Sequence, residues 1–339
     1  MKTKPMTKFA ILALSLVLVA CAGGGSEEAG CPAIDGREIN VVATTPMIGE
    51  FVSQVGGEKI NLTVLMPPEA NPHTYEPAPQ DAGTIAEADL VFYTGLLYEP
   101  AALVKLLENS ACSTDILSEV GESVFPIEFK EGGHDDHDDH DDHDDEEGHD
   151  DEEGHDDHEG HNHGAYDPHF WFDPSRVAYA AEYIESRLIE FDPENESSYK
   201  SSADSFVSEL NDLTKQVSEL ISTVPSQNRK LITTHESLGY LEAKFGLEVL
   251  STIIPSLNSA NEISPSDLAG VIDVIEDNNV KVIFIESEAP SVYSETIVAE
   301  TGIKPVTGLY VETLKPGQSY SEFLISNVKL ITENLQDTD

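Results

Sequence analysis

Histidine is the residue type whose distribution in this chain most clearly indicates chemistry. The sequence contains 12 His among 339 residues, and nine of them fall within residues 134–163. Only His73, His169 and His235 remain for the rest of the chain. Neutral imidazole is the commonest metal ligand in proteins, so these positions are candidates for metal binding.

The three isolated histidines lie in short, polar, proline-rich or strand-terminal motifs. His73 lies in NPHTYEP, His169 in DPHFWFDP and His235 in THESLGYL. Prolines flank the first two and fix the local backbone, which lowers the entropy lost when a ligand is held. A lone histidine in such a place is more often a hydrogen-bonded polar residue. Three of them, each expected just beyond a strand, favour a shared metal, for which a carboxylate would complete a tetrahedral set.

Alternating strand and helix patterns must position these residues. Strands are predicted at 39–43, 60–65, 90–93, 231–233, 249–254, 280–285 and near 305–306. Helices are predicted at 47–55, 80–88, 101–109, 177–191, 196–224, 238–245, 265–278, 291–301 and 320–335. This order is typical of βαβ units with parallel sheets. In the helix over 196–224, apolar residues recur every three or four positions, and about 30 residues would extend roughly 40 Å. We therefore predict an α/β protein with two lobes joined by a long helix.

The segment boundaries follow from changes in composition. We predict a signal peptide over 1–20, a linker over 21–38, an N-terminal lobe over 39–176, a helical connection over 177–227 and a C-terminal lobe over 228–339.

The signal segment combines Lys2, Lys4 and Lys8 with an apolar run that is shorter than the about 20 residues needed to span a bilayer. The run ends in LVAC, which resembles a bacterial lipobox and makes Cys21 the expected lipid attachment site. An ordinary secretory signal with an incidental Cys21 is the alternative.

The other two cysteines, Cys31 and Cys112, lie in the same half of the chain. In an oxidising extracytoplasmic compartment two such residues can pair as a disulfide. Two buried thiols are the alternative, because sequence does not show whether their Cα atoms are close.

Residues 134–163 form a tract of interleaved histidine and acid. The tract carries 17 of the 64 acidic residues, and the whole chain has a formal net charge of −46, which argues against a nucleic-acid partner. No apolar residue anchors the tract, so we expect a disordered loop. It is either a solvated loop or a flexible collector of metal ions. Its candidate ligands are His134, His137, His140, His143, His149, His155, His158, His161 and His163.

The three motifs, the lipobox and the acidic His-rich insertion together closely resemble those of zinc/manganese solute-binding lipoproteins of ABC importers, the ZnuA/TroA type. The resemblance covers roughly residues 38–335. It implies two (βα)4-like lobes, a rigid linking helix and a metal site in the cleft between the lobes, with His73, His169 and His235 as ligands. The fourth ligand is expected at Glu312 in GLYVETL, where the family more often has Asp. Glu286, at the end of a predicted strand, competes for this role, as does water.

The resemblance also implies a function and partners. Three imidazoles and a carboxylate suit Zn²⁺ better than Mn²⁺, although Mn²⁺ stays open. We expect an extracytoplasmic, lipid-anchored monomer that delivers the ion to an ABC permease and its ATPase. A zinc hydrolase is the first rival, but His235-Glu236 does not continue into H-E-x-x-H because residue 239 is Gly. We therefore expect no enzyme. A surface adhesin or a metal buffer is the second rival.

Overall fold

The computed structural model describes residues 31–129 (except 32, 35 and 69), 166–288 and 292–336. The expected signal segment 1–20, the lipid attachment site Cys21 and the tract 134–163 lie outside these residues. Within the described part of the chain, no helix combines the length and the hydrophobicity that crossing a membrane requires.

The N-terminal part is built on a four-stranded parallel sheet with the strand order β2-β1-β3-β4. Its elements are β1 (Ile39–Ala43), α1 (Pro46–Gly56), β2 (Ile60–Val64), α2 (Pro79–Ala86), β3 (Leu90–Tyr93), α3 (Ala101–Ser110) and β4 (Leu117–Glu119). The first three strands were expected from their apolar runs. Strand β4 was not, because its three residues include Ser and Glu and carry too little apolar pattern.

Parallel pairing places the loops after these strands along one edge. Ile39 of β1 lies opposite Ile60 of β2, and Val41 of β1 lies opposite Leu90 of β3. The carboxyl ends of parallel strands share one edge of a sheet, where ligand-binding loops gather. The loops that follow β2 and β3 therefore lie along the same edge of the sheet, on either side of β1.

The C-terminal part contains two parallel strand pairs, β5-β6 and β7-β8. Its elements are β5 (Lys230–His235), α6 (Gly239–Phe245), β6 (Glu248–Ile254), α7 (Pro265–Asn278), β7 (Val282–Glu286), α8 (Val292–Thr301), β8 (Lys304–Leu309) and α9 (Tyr320–Gln336). The two pairs meet between β5 and β7, where the amide of Glu286 donates to Thr234 Oγ1 at 3.0 Å. Helix α7 has the predicted bounds, since Ser264 and Asp267 form a capping box at its start.

Two long helices, α4 (Pro174–Phe191) and α5 (Glu196–Ser222), connect the parts. The one-sided stripe predicted on α5 is confirmed. Its buried residues are Tyr199, Ala203, Phe206, Leu210, Leu213, Val217 and Ile221. The predicted α/β fold with parallel sheets and a long connecting helix is thus confirmed.

The largest hydrophobic core is continuous across both parts. It extends from Ile39 of β1 through the α5 stripe to Leu335 of α9. Two smaller cores cover the outer faces of the sheets, one around Val91 and Leu103 and the other around Ile253 and Val271. One continuous core therefore joins the two parts that carry the three isolated histidines.

Cys31 and Cys112 form a disulfide bond with their Cα atoms 5.0 Å apart and a sequence separation of 81. The bond ties the segment that precedes β1 to the end of α3. Closing a loop of this length removes about 4–5 kcal/mol of conformational entropy from the unfolded chain.

Candidate metal centre

Four side chains from distant parts of the sequence converge between the two parts of the structure. One ligand atom from each of His73, His169, His235 and Glu312 lies within 4.8 Å of all the others. Glu312 Oε1 lies 3.1 Å from His73 Nε2 and 3.0 Å from His235 Nε2, and Oε2 lies 3.5 Å from His169 Nε2. Ligand atoms in a tetrahedral zinc site with bonds of about 2.0–2.1 Å are roughly 3.3 Å apart. The carboxylate and the imidazoles therefore have the spacing of a metal site.

The turn that carries His73 is fixed by its neighbours in sequence. Residues Pro72–Thr74 form a 3₁₀ turn after β2, and Asn71 is its N-cap. The Oδ1 atom of Asn71 accepts a hydrogen bond from the His73 amide at 2.9 Å. Proline suits the first position of such a turn because it needs no amide hydrogen there.

His169 is held by Asp167, two residues before it. One oxygen, Asp167 Oδ1, lies 2.8 Å from both the amide and the Nδ1 of His169. The next three residues, Phe170–Phe172, form a 3₁₀ turn whose aromatic side chains are fully buried. The expectation that His169 follows a strand is wrong for the described residues, because this turn and α4 adjoin it instead.

His235 is the last residue of β5, not part of the loop after it as expected. The neighbouring strand β7 ends at Glu286. The Oε2 atom of Glu286 lies 2.5 Å from His235 Nδ1, and Oε1 accepts from the His235 amide at 3.2 Å. Carboxylates in this position fix the tautomer of a ligating imidazole and leave Nε2 for the metal.

Glu312 comes from the segment after β8, and residues of the N-terminal part hold it. The Tyr98 hydroxyl donates to Glu312 Oε2 at 2.9 Å and lies 3.1 Å from its carbonyl oxygen. The indole of Trp171 donates to the carbonyl of Val311 at 2.8 Å. Within the C-terminal part, Glu288 Oε1 accepts from the amides of Val311 and Glu312 at 3.2 and 3.3 Å. The fourth ligand is thus fixed from both sides.

The electrostatics of the cluster are dominated by burial and by Glu312. Burial raises the pKa of Glu312, but His73 and His235 lower it more, so that it falls well below its ordinary value. Burial lowers the pKa of His169, while its contacts with the carboxylates of Asp167 and Glu312 raise it to about 9. Burial also lowers the pKa of His235, but Glu286 and Glu312 raise it more, so that it lies well above its ordinary value. Glu312 thus favours the protonated forms of His169 and His235.

Two imidazole nitrogens aim into the cluster without a properly oriented hydrogen bond. His169 Nε2 and His235 Nε2 are buried and lack hydrogen-bond partners of acceptable angle. Oxygens of Glu312 nevertheless lie 3.5 and 3.0 Å from them. Short distances with poor angles arise when donor atoms point at a common centre and not at one another. Together with His73 Nε2 and the Glu312 carboxylate, these two nitrogens make a set of donors that fits a divalent transition metal.

The structure therefore brings together the four residues predicted as ligands. Glu286, the competing candidate, contacts the far side of His235 and is not one of the four. The nine histidines of the tract lie outside the described residues. Sequence reasoning missed Tyr98, Asp167 and Glu288. Only Asp167 had a local signal, as the acid that opens DPH, because Tyr98 meets a partner 214 residues away.

Solved structures with the same fold bind metals. The periplasmic zinc binding protein TroA from Treponema pallidum aligns with a TM-score of 0.72 at 21% identity, over 88% of this chain and 99% of that one. Fe(III)-bound YtgA from Chlamydia trachomatis aligns with a TM-score of 0.72 at 25% identity, over 88% and 98%. Fold and site together define a metal-binding protein of the substrate-binding class.

The family follows from the sequence comparisons. A family model described as zinc-uptake complex component A, periplasmic, matches residues 41–334, and this chain belongs to that family. The high-affinity zinc uptake system protein ZnuA of Bacillus subtilis is 28% identical over 96% of both chains. The manganese ABC transporter substrate-binding lipoprotein PsaA of Streptococcus anginosus is 26% identical over 98% of this chain and 99% of its own. The resemblance inferred from the three motifs is confirmed, and the family is one of transport proteins and not of enzymes.

Proposed function

We propose that this protein is the extracytoplasmic zinc-binding component of an ABC importer, which captures Zn²⁺ through His73, His169, His235 and Glu312 and delivers it to a permease. The observation that carries the proposal is the buried set of three Nε2 atoms around one carboxylate. A nitrogen-rich, borderline-soft set of this kind suits zinc, whereas manganese prefers sites richer in oxygen. Lipid attachment at Cys21 would keep the protein at the membrane beside its permease.

Manganese is the second candidate cargo because several relatives carry it in their names. PsaA of Streptococcus anginosus and MntA of Halalkalibacterium halodurans are named for manganese, whereas ZnuA of Bacillus subtilis is named for zinc. Affinity alone does not decide between the two ions, since most nitrogen and oxygen sites bind Zn²⁺ more tightly than Mn²⁺. Cargo must therefore be tested by transport.

The deciding experiment is metal uptake in cells that lack the gene. Complementation with the wild-type chain should restore growth and intracellular zinc under zinc limitation. The His235→Asp variant, which exchanges an imidazole for a carboxylate, should restore zinc uptake poorly. Purified wild-type protein should also contain about one tightly bound zinc. Restored manganese uptake with unchanged zinc would identify manganese as the cargo and overturn the zinc assignment.

The tract 134–163 suggests a second element of the function. Many weak histidine and carboxylate sites would raise the local concentration of cations. They would do so near the four-ligand site, because His163 is only six residues from His169. We propose that the tract collects metal while the four-ligand site gives high affinity. Its deletion, described in the Discussion, separates the two contributions.

A further inference from the structure

The turn that carries His73 is tied to the opposite part of the molecule by one side chain, that of Asn71. Its Oδ1 caps the turn, and its Nδ2 donates to Ser259 Oγ at 3.0 Å and to the carbonyl oxygen of Glu288 at 3.3 Å. Ser259 is fully buried and lies in the segment between β6 and α7. A single half-buried amide therefore joins the N-terminal turn to two segments of the C-terminal part.

Capping alone does not require asparagine at this position. Asp and Ser cap helical turns about as well as Asn, because only an oxygen acceptor is needed. The two contacts to Ser259 and Glu288 use the amide NH₂ group, which neither Asp nor Ser possesses. Asn71 therefore caps the turn and also donates hydrogen bonds to the C-terminal part.

The bonds of Asn71 continue to a second ligand. Glu288 receives the Asn71 amide on its carbonyl, and its Oε1 accepts from the amide of Glu312 at 3.3 Å. His73 Nε2 in turn lies 3.1 Å from Glu312 Oε1. Asn71 and Glu288 therefore complete a ring of contacts that links two ligands contributed by opposite parts of the fold.

His73 depends on this ring more than the other two histidines do. The rings of His169 and His235 are each held at Nδ1 by a carboxylate, from Asp167 and Glu286 respectively. For His73, the hydrogen bonds found among the described residues involve its amide and its Nε2. The position of His73 is therefore set by its 3₁₀ turn and by the contacts that hold this turn against the C-terminal part.

We infer that Asn71 is a positioning residue that fastens the His73 turn to Ser259 and Glu288 and thereby slows the release of bound metal. The inference rests on the proposed function, since it concerns the same four ligands. When the two cross-cleft hydrogen bonds break, the His73 turn can move away from Glu312. Metal then leaves from a site with three remaining ligands.

The test compares release rates from the full-length protein loaded with Zn²⁺. Asn71→Ser and Asn71→Asp both keep the capping oxygen and lose the NH₂ donor. Each should release zinc to a chelator about 10-fold faster than wild type in stopped-flow measurements, the effect of losing two neutral hydrogen bonds. Ser259→Ala should accelerate release less and add little to Asn71→Ser, because both remove the same contact.

Two controls make the outcome decisive. Asn61→Asp changes an exposed asparagine of β2 whose side-chain amide donates to Asn40 Oδ1, and it should release zinc at the wild-type rate. Metal-free Asn71→Ser should keep the circular dichroism spectrum of wild type and unfold in one cooperative transition, which excludes a general loss of fold.

The possible failures are distinguishable. If Asn71→Ser releases zinc at a rate within twofold of wild type, the inference is wrong. Faster release by Asn71→Asp alone would then reflect repulsion between the new carboxylate and the Glu288 carbonyl. Equally fast release by Asn61→Asp, or loss of the cooperative transition in metal-free Asn71→Ser, would also overturn it, in favour of a general effect on the fold. If wild-type protein itself binds no zinc, the proposed function fails instead.

Discussion

The carboxylate of Glu286 lies directly behind His235, with its Oε2 2.5 Å from His235 Nδ1, so that His235 Nε2 faces Glu312. The two residues end adjacent parallel strands, β5 and β7. Glu286 thus orients a ligand, whereas Glu312 has both of its oxygens inside the cluster.

This difference predicts an order of effects for two conservative substitutions. Glu286→Gln should weaken zinc binding about 10–100-fold, the usual cost of losing a residue that orients a metal ligand. Glu312→Gln should weaken it further because it removes a charged ligand. Competition titration against a chelator measures both. Glu236→Gln is the matched control, since Glu236 adjoins His235 but bonds to Thr252. A greater loss in Glu286→Gln than in Glu312→Gln would transfer the ligand role to Glu286.

The hydroxyl of Tyr98 should matter through Glu312. Tyr98→Phe removes a buried hydrogen bond to an ionised carboxylate, and such bonds contribute about 1.5–3 kcal/mol. We expect zinc affinity to fall about 10-fold or more. Tyr199→Phe is the control, because its hydroxyl bonds to Asp192 at the junction of α4 and α5. Calorimetric titration that gave equal affinities for Tyr98→Phe and wild type would contradict this role.

Protons and metal should compete for the imidazoles over an unusually high pH range. His169 has a pKa of about 9 in the metal-free fold, above its ordinary 6.5, and the pKa of His235 is also raised. Ligation requires neutral imidazole, so zinc binding near pH 7 should release protons and affinity should increase up to about pH 9. Calorimetry in buffers of different ionisation enthalpy measures the protons released. Zero release at pH 7 would show that the imidazoles are already neutral.

The same shift predicts the opposite trend for metal-free stability. A histidine whose pKa is higher in the folded than in the unfolded state stabilises the fold below the unfolded value. The contribution of His169 should be complete below about pH 6.5 and should be lost as pH rises through about 9. Chemical denaturation of metal-free protein at pH 6 and pH 9 tests this, with His169→Asn as the variant that should lose part of the dependence and keep the part that His235 contributes.

Removal of residues 134–163 should separate collection from tight binding. We expect the deletion variant to keep one high-affinity zinc and to bind fewer ions in total, since the tract supplies nine of the 12 histidines. Equilibrium dialysis followed by metal analysis gives the stoichiometry. Disappearance of the tight site together with the weak ones would contradict this division.

The disulfide should support the fold without controlling the site. Replacing Cys31 and Cys112 by Ser should lower the free energy of unfolding by about 2–5 kcal/mol, because the unfolded chain regains the freedom of a long loop. Zinc affinity of the folded variant should stay within about twofold of wild type. Denaturant unfolding and titration of the same sample check the two statements. A large loss of affinity would mean that α3 and the site are coupled.

Much of the fold was predictable because its signals are local. Apolar β-branched runs indicated β1, β2 and β3, and the Ser264-Pro265 cap marked the start of α7 at the residue where the structure begins it. Strand β4 escaped prediction because three partly polar residues form a strand only when the edge of β3 is there to pair with.

The sequence by itself determined which residues are candidate metal ligands: three histidines outside the tract, each in a short motif that restricts its backbone. The cap of the His73 turn and the Asp167–His169 pair each span only two residues, so their signals are local, although the sequence analysis did not predict them. The tertiary structure alone decided that Glu312 points into the cluster while Glu286 orients His235, and that Tyr98 and Asn71 reach across the cleft. The physical reason is distance along the chain. Partners that are 51 to 239 residues apart meet only after the parallel strands and α5 have packed into one core.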